Sequence, residues 1–202
     1  MNSGWYESVN QNPPITQGEL IFDCPVFGWS PEKVEFCREG TSETLEATKL
    51  LSVSHVVVMT QACDLEQNKV DNVVLCPFTT LVDFHQEWIE KRQSSGKGSG
   101  NKDWKQQCNQ IRNGYIWNLA MLKDGKSDGL GNKSLPNPLI VDFHEIYTLP
   151  VSFVQSFLKQ KGAQRIRLLP PYREHLSQAF ARFFMRVGLP MPIEDSWNLT
   201  SQ

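Results

Sequence analysis

The chain has 202 residues, 40% of them hydrophobic and 10% aromatic, including six Trp and eleven Phe; this supplies a core for one domain and excludes a disordered composition. A formal charge of −2 excludes a chain that is basic as a whole, of the kind that coats nucleic acid or an anionic membrane. No apolar run reaches bilayer-spanning length, and the N-terminus MNSGWYESVNQNPP lacks the charged-then-apolar layout of a secretion signal, so the expected location is the cytoplasm.

Residues 1–14 are polar, end in Pro13-Pro14 and read as a flexible leader. Ile15 to Phe27 reads as a turn feeding a strand. Gly28 and Pro31 then interrupt the chain, Lys33 to Phe36 suits a short strand, and Thr41 to Thr48 suits a loop or short helix. Ser54 to Thr60 (SHVVVMT) and Val73 to Phe78 (VVLCPF) carry runs expected of strands buried on both faces, with Gln61 to Asn72 as a polar loop between them. Leu81, Phe84, Trp88 and Ile89 fall near helical spacing. After the flexible Ser94–Gly100 stretch, Trp104, Cys108 and Ile111 repeat at i, i+4, i+7, which makes 81–113 a helical insertion.

Tyr115 to Leu122 and Leu139 to Phe143 read as strands separated by a Gly/Asp/Asn/Pro-rich loop, 123–138. Leu149 to Leu158 suits a short helix opened by Pro150 and Ser152, and Arg165 to Leu168 (RIRL) a half-exposed strand. The C-terminal element is the most sharply patterned. Tyr172, Leu176, Ala179, Phe180, Phe183, Phe184 and Val187 form one apolar stripe of a long amphipathic helix. Pro170-Pro171 stand at its start, Gly188 at its cap and Pro190 beyond, while Arg173, Glu174, Gln178, Arg182 and Arg186 supply a solvated face. Residues 191–202 form a tail, which leaves 15–190 as a single domain.

The five cysteines (Cys24, Cys37, Cys63, Cys76, Cys108) are odd in number and isolated, with no paired metal-ligand spacing; they read as buried, reduced thiols, and no metal or cofactor is expected. Cys63 follows a buried strand, but Asp64 beside it works against a thiolate. Asp142 and Glu145 flank His144, either a carboxylate–histidine pair for proton transfer or a solvated turn. Arg165, Arg167, Arg173, Arg182 and Arg186, with Tyr115 and Trp117 for stacking, could meet RNA, although solvated helix arginines are the commoner outcome. No phosphate-binding glycine loop, G-x-S-x-G elbow or H-E-x-x-H occurs.

The order of segments resembles the PemK/MazF-like family of small SH3-like barrels with a C-terminal helix. Gln17-Gly18-Glu19-Leu20-Ile21 resembles its opening turn and strand, Ser54 to Val58 its second strand, and Cys76-Pro77-Phe78-Thr79 the strand ending in Pro-Ile-Thr. Leu139 to Leu149 is similar to a later strand. The resemblance implies a barrel that dimerises and a ribonuclease site using an Arg and a Thr. Here Thr79 or Thr80 takes the Thr position, and Ser54 or His55 stands where the Arg would be.

The segments ITQGELIFDCPVF, VVVMTQACDLEQNKV and RLLPPYREHLSQAFARFFMRVGLP also resemble bacterial defence-associated proteins, among them accessory components of caspase-linked CRISPR systems. The expectation is therefore an α+β chain with a small SH3-like β-barrel, carrying the helical insertion 81–113 and the C-terminal helix. It acts as a non-enzymatic accessory protein in antiphage defence that binds a protein partner, with no membrane association. The expected groove is lined by His55, Gln61, Asp64, Thr79 and Thr80. The alternative is an endoribonuclease on single-stranded RNA, with His55 replacing the lost Arg and Thr79 assisting; a third reading uses 81–113 as a docking arm.

Overall fold

The computed structural model describes residues 4–10, 13–29, 45–46, 48–125, 130, 135–162 and 165–185. Among these are eight strands: β1 (Tyr6–Val9), β2 (Glu19–Trp29), β3 (Lys49–Val58), β4 (Asn72–Thr80), β5 (Leu119–Leu122), β6 (Leu139–Asp142), β7 (Tyr147–Pro150) and β8 (Arg165–Leu168). Five helices accompany them: α1 (Ala62–Glu66), α2 (Leu81–Ser94), α3 (Asn101–Arg112), α4 (Val151–Lys161) and α5 (Tyr172–Phe184). The fold is α+β. Every strand pairing is antiparallel, in the order β1-β8-β2-β3-β4-β6-β5, with β7 also on β4. Among the described residues this order does not return to its start, so the sheet is open where a closed barrel was expected.

Alternation along the central strands divides the apolar residues between two cores. Val57, Cys76 and Phe78 face one, which α5 covers through Leu176, Tyr172, Ala179, Phe180 and Phe183. Val56, Val58, Val73 and Leu75 face the other, which α4 covers through Val154 and Leu158. The runs Val56–Val58 and Val73–Leu75 are continuous because both sheet faces are covered. The turn into β2 needs Gly18. Its φ is +78°, and a Cβ there would meet Arg173 Cγ and Leu168 Cβ at 3.1 Å.

The N-terminal segment is not a free leader. Tyr6 to Val9 pair with β8, the Tyr6 hydroxyl donates to Lys123 O, and Trp5 stacks on Tyr172 with ring centroids 4.0 Å apart. Strand β8 is correspondingly covered on both edges, so Arg165 is buried where half-exposure was expected. It pairs at 3.1 Å with the fully buried Glu19 and donates to the carbonyls of Asn10 and Pro13.

Other differences are local. Tyr115 to Asn118 form a turn, so that β5 begins only at Leu119 and leaves Tyr115 exposed. Leu149 belongs to β7, with Pro150 as the N-cap residue of α4. The polar 61–72 loop contains α1. Cys24 and Cys76 are buried, but Cys63 is exposed. Phe184, assigned to the apolar stripe of α5, is exposed at its end. Lys33–Phe36, Cys37, Arg186–Pro190 and the tail 191–202 lie outside the described residues.

Candidate functional site

Strands β3 and β4 part company in the middle. They pair through Val58↔Leu75, Val57↔Cys76 and Val56↔Pro77, and no further. Pro77 has no N–H to give, so the ladder ends there. Beyond it the end of β4 turns to β6, pairing Phe78, Thr79 and Thr80 with Val141, Ile140 and Leu139. The first half of β3 leaves with β2 as a two-stranded ribbon, paired from Cys24↔Ser54 to Trp29↔Lys49. A cleft of about 380 Å3 opens in this fork, lined by Val53, Ser54 and His55 on the ribbon and by Pro77, Phe78 and Thr79 on β4.

A β-bulge sets the position of His55. Phe22 and Asp23 together oppose this one residue, because the β2–β3 register shifts between Ile21 and Cys24. Asp23 takes φ +48°, a left-handed conformation that aspartate tolerates better than most residues. Its backbone N–H donates to His55 Nδ1 at 3.0 Å. Asp23 Oδ1 also lies 3.5 Å from the same nitrogen, so the bulge residue holds the imidazole through both its backbone and its side chain. Lys161, in the last turn of α4, donates to Phe22 O at 2.6 Å and to Asp23 Oδ2 at 3.1 Å. This bond to Lys161 holds the Asp23 carboxyl below its ordinary range. The rings of Phe22, His55 and Phe78 form a triangle, with centroids 5.4 Å, 5.7 Å and 5.4 Å apart.

The charged part of the lining is acidic. Asp23, Glu87, Asp142 and Glu145 supply four carboxylates, against Lys91 and the imidazole of His55. Lys91 stands 3.9 Å from Glu87 on the same face of α2. Asp142 accepts from His144 N at 2.9 Å, and Glu145 from the Tyr147 hydroxyl at 2.9 Å. Burial, followed by Glu145, pushes the Tyr147 phenol up to about 12. Beneath the cleft, burial pushes the Cys76 thiol up to about 12, and the Asp142 charge adds to the effect.

The expected site residues fall into two groups. His55 and Thr79 line one cleft. Thr80 adjoins it but is engaged as the N-cap of α2: its hydroxyl accepts from Asp83 N at 3.1 Å. Gln61 and Asp64 are not brought to this cleft. They follow β3, and since Met59 N donates to Val74 O, antiparallel pairing sets them beside the start of β4. Thr79 is five residues further along, about 17 Å at ~3.4 Å per residue.

Asp23 from β2, Glu87 and Lys91 from α2, and Glu145 from the turn after β6 were not foreseen together. Pro77, inside an apolar strand, was the local signal that pairing stops. Asp142 and His144 interact as neighbours, with Nδ1 3.5 Å from Oδ1 and both side chains partly exposed. Among the described residues no group of His, Cys, Asp and Glu could hold a metal ion, and no helix is long and apolar enough to cross a membrane. No protein-family model matches the chain, and no curated protein is significantly similar to it.

Proposed function

We propose that this chain is a non-enzymatic accessory protein that holds a basic segment of a protein partner in the cleft between β3 and β4. The carrying observation is the lining: four carboxylates against one lysine and one histidine. Lys161, outside the lining, holds Asp23, and Lys91 faces Glu87, which leaves Asp142 and Glu145 for an incoming cation. A phosphodiester backbone entering this cleft meets charge of its own sign, whereas Lys or Arg side chains find partners at short range. His55 Nδ1 is already engaged by Asp23, through both its backbone and its side chain. On this reading the sheet is an opened relative of the SH3-like barrel of PemK/MazF-like proteins, parted where β3 leaves β4. A cytoplasmic place in antiphage defence rests on the sequence resemblance to accessory proteins of caspase-linked CRISPR systems.

The second reading is an endoribonuclease, favoured by the presence of His55 and Thr79 in one cleft. One experiment separates the two. A fluorescent decapeptide of alternating Lys and Val and a single-stranded 20-mer RNA are each titrated with the protein by anisotropy, and a long RNA is assayed for cleavage with EDTA present. The partner-binding reading expects the peptide to bind, with about tenfold weakening in Asp142→Asn/Glu145→Gln, and the RNA to stay unbound and intact. Site-selective cuts that vanish in Thr79→Ala would replace it with the nuclease.

A further inference from the structure

We infer that the edge of β3 away from β2, from Lys49 to His55, accepts an extended segment of the partner by strand addition. The inference rests on the partner-binding reading above and specifies how the segment is held. Along these seven residues β3 has β2 on one edge, and on the other no strand pairs with it among the described residues. Such an edge presents a row of backbone N–H and C=O groups spaced to template another strand. Seven residues extend about 24 Å at ~3.4 Å per residue, enough for a segment of six or seven residues.

From Leu50 to Ser54 the outer strand of this ribbon carries neither charge nor proline. Proteins blunt exposed edges with charge, proline or a covering element. Here Phe27 lies opposite Leu51, Pro25 opposite Val53, and Trp29 opposite Lys49, so all six share one face. Phe27, Trp29, Leu51 and Val53 on that face are between 56% and 68% exposed. The opposite face is different: Cys24 and Val26 are fully buried in the second core. The exposed stripe runs without a break to His55 and Phe78 in the cleft. Four exposed apolar side chains on one face, leading to a polar cleft, mark an interaction site.

Charge selects the occupant. A second copy of this chain would bring its own acidic cleft and its own net charge of −2 to the same edge, setting carboxylates against carboxylates. A foreign segment alternating apolar residues with Lys or Arg satisfies both surfaces. Its apolar side chains lie on the Phe27–Leu51–Val53 stripe, and its cations reach Asp142 and Glu145.

A random 12-residue peptide library displayed on phage is panned against the full chain, and the tightest peptide is followed by amide hydrogen exchange. Selected sequences should alternate apolar with basic residues, and their binding should slow exchange at amides within Lys49–His55 by at least tenfold. Leu51→Lys/Val53→Lys, which places two cations on the edge, should weaken binding at least tenfold at an unchanged melting temperature. A basic peptide that Asp142→Asn weakens, but that leaves the Lys49–His55 amides unprotected, would overturn strand addition and leave the cleft reading standing. Selection of no basic peptides would overturn both. A dimer seen in sedimentation and lost in the double lysine variant would give the edge to a second copy and overturn the foreign segment.

Discussion

Replacing Arg165 by Met tests how the N-terminal third of the chain is fastened to the rest. Arg165 is 5% exposed and Glu19 is 0% exposed, with 3.1 Å between them. Removing the cation leaves Glu19 buried with, among the described residues, the Thr16 N–H at 3.3 Å as its hydrogen-bond donor and Arg167 as the remaining nearby cation. It also removes the donors to Asn10 O and Pro13 O. Breaking one side of a buried pair costs about 3–5 kcal/mol. At a urea slope of about 2 kcal/mol/M, the unfolding midpoint falls by roughly 1.5–2.5 M.

The loss depends on pH, with a definite sign. Burial already holds the Glu19 carboxyl above its ordinary 4.5, with Arg165 opposing the rise. A raised acid contributes stability that is fully present below the unfolded value and is lost as pH rises through the folded one. Without Arg165 the rise is larger, so the deficit of Arg165→Met is greatest at neutral pH and narrows as pH falls toward 4.5. Adding Glu19→Gln should remove that dependence. Urea titrations followed by tryptophan fluorescence between pH 4.5 and 8 measure all of this. A loss under about 1 kcal/mol, or one that does not change with pH, would show that water already reaches the pair and that it fastens nothing.

Thr80→Ala deletes the cap of α2 and should cost about 1 kcal/mol in thermal or urea unfolding, with Thr80→Ser close to neutral. Gly18→Ala forces an L-residue into positive φ against Leu168 and Arg173, and should cost about 1–3 kcal/mol by the same measurement. In native protein, thiol labelling mapped by mass spectrometry should modify the exposed Cys63 well before Cys24 and Cys76, whose thiols burial pushes up to about 11 and about 12. Leu51→Lys/Val53→Lys should change folding stability by less than about 0.5 kcal/mol, because both side chains already face solvent.

The legible parts of the fold were those whose pattern is local. Val56–Val58, Val73–Leu75 and the 172–183 stripe each carry their periodicity within a single element, and each forms the expected element. Tyr6 to Val9 gave no such signal: YESV becomes a strand only because β8, far along the chain, offers it an edge. Arg165 looked solvated because Glu19, its partner, cannot be identified from spacing.

The cleft shows the same division. His55 and Thr79 could be placed near each other from two neighbouring strands. Gln61 and Asp64 were misplaced because the antiparallel direction of β4 sends its two ends opposite ways. The acidic lining is assembled from the bulge in β2, the face of α2 and the end of β6, a meeting of distant segments that no window of sequence contains.

The pairing of β1 with β8 has a consequence for the order of events at the ribosome. Asn10, just after β1, leaves the exit tunnel 155 residues ahead of Arg165, whose side chain clasps it. At translation rates of about 5–20 residues per second, that is a delay of roughly 8–30 s. For all of that interval the strand that completes the sheet edge has no partner, and the Glu19 carboxylate has no cation to accompany it into the interior. The first core therefore closes only after β8 and α5 have emerged, whereas the β3–β4 hairpin and the α2–α3 helices, made of near neighbours in sequence, are free to form well before that.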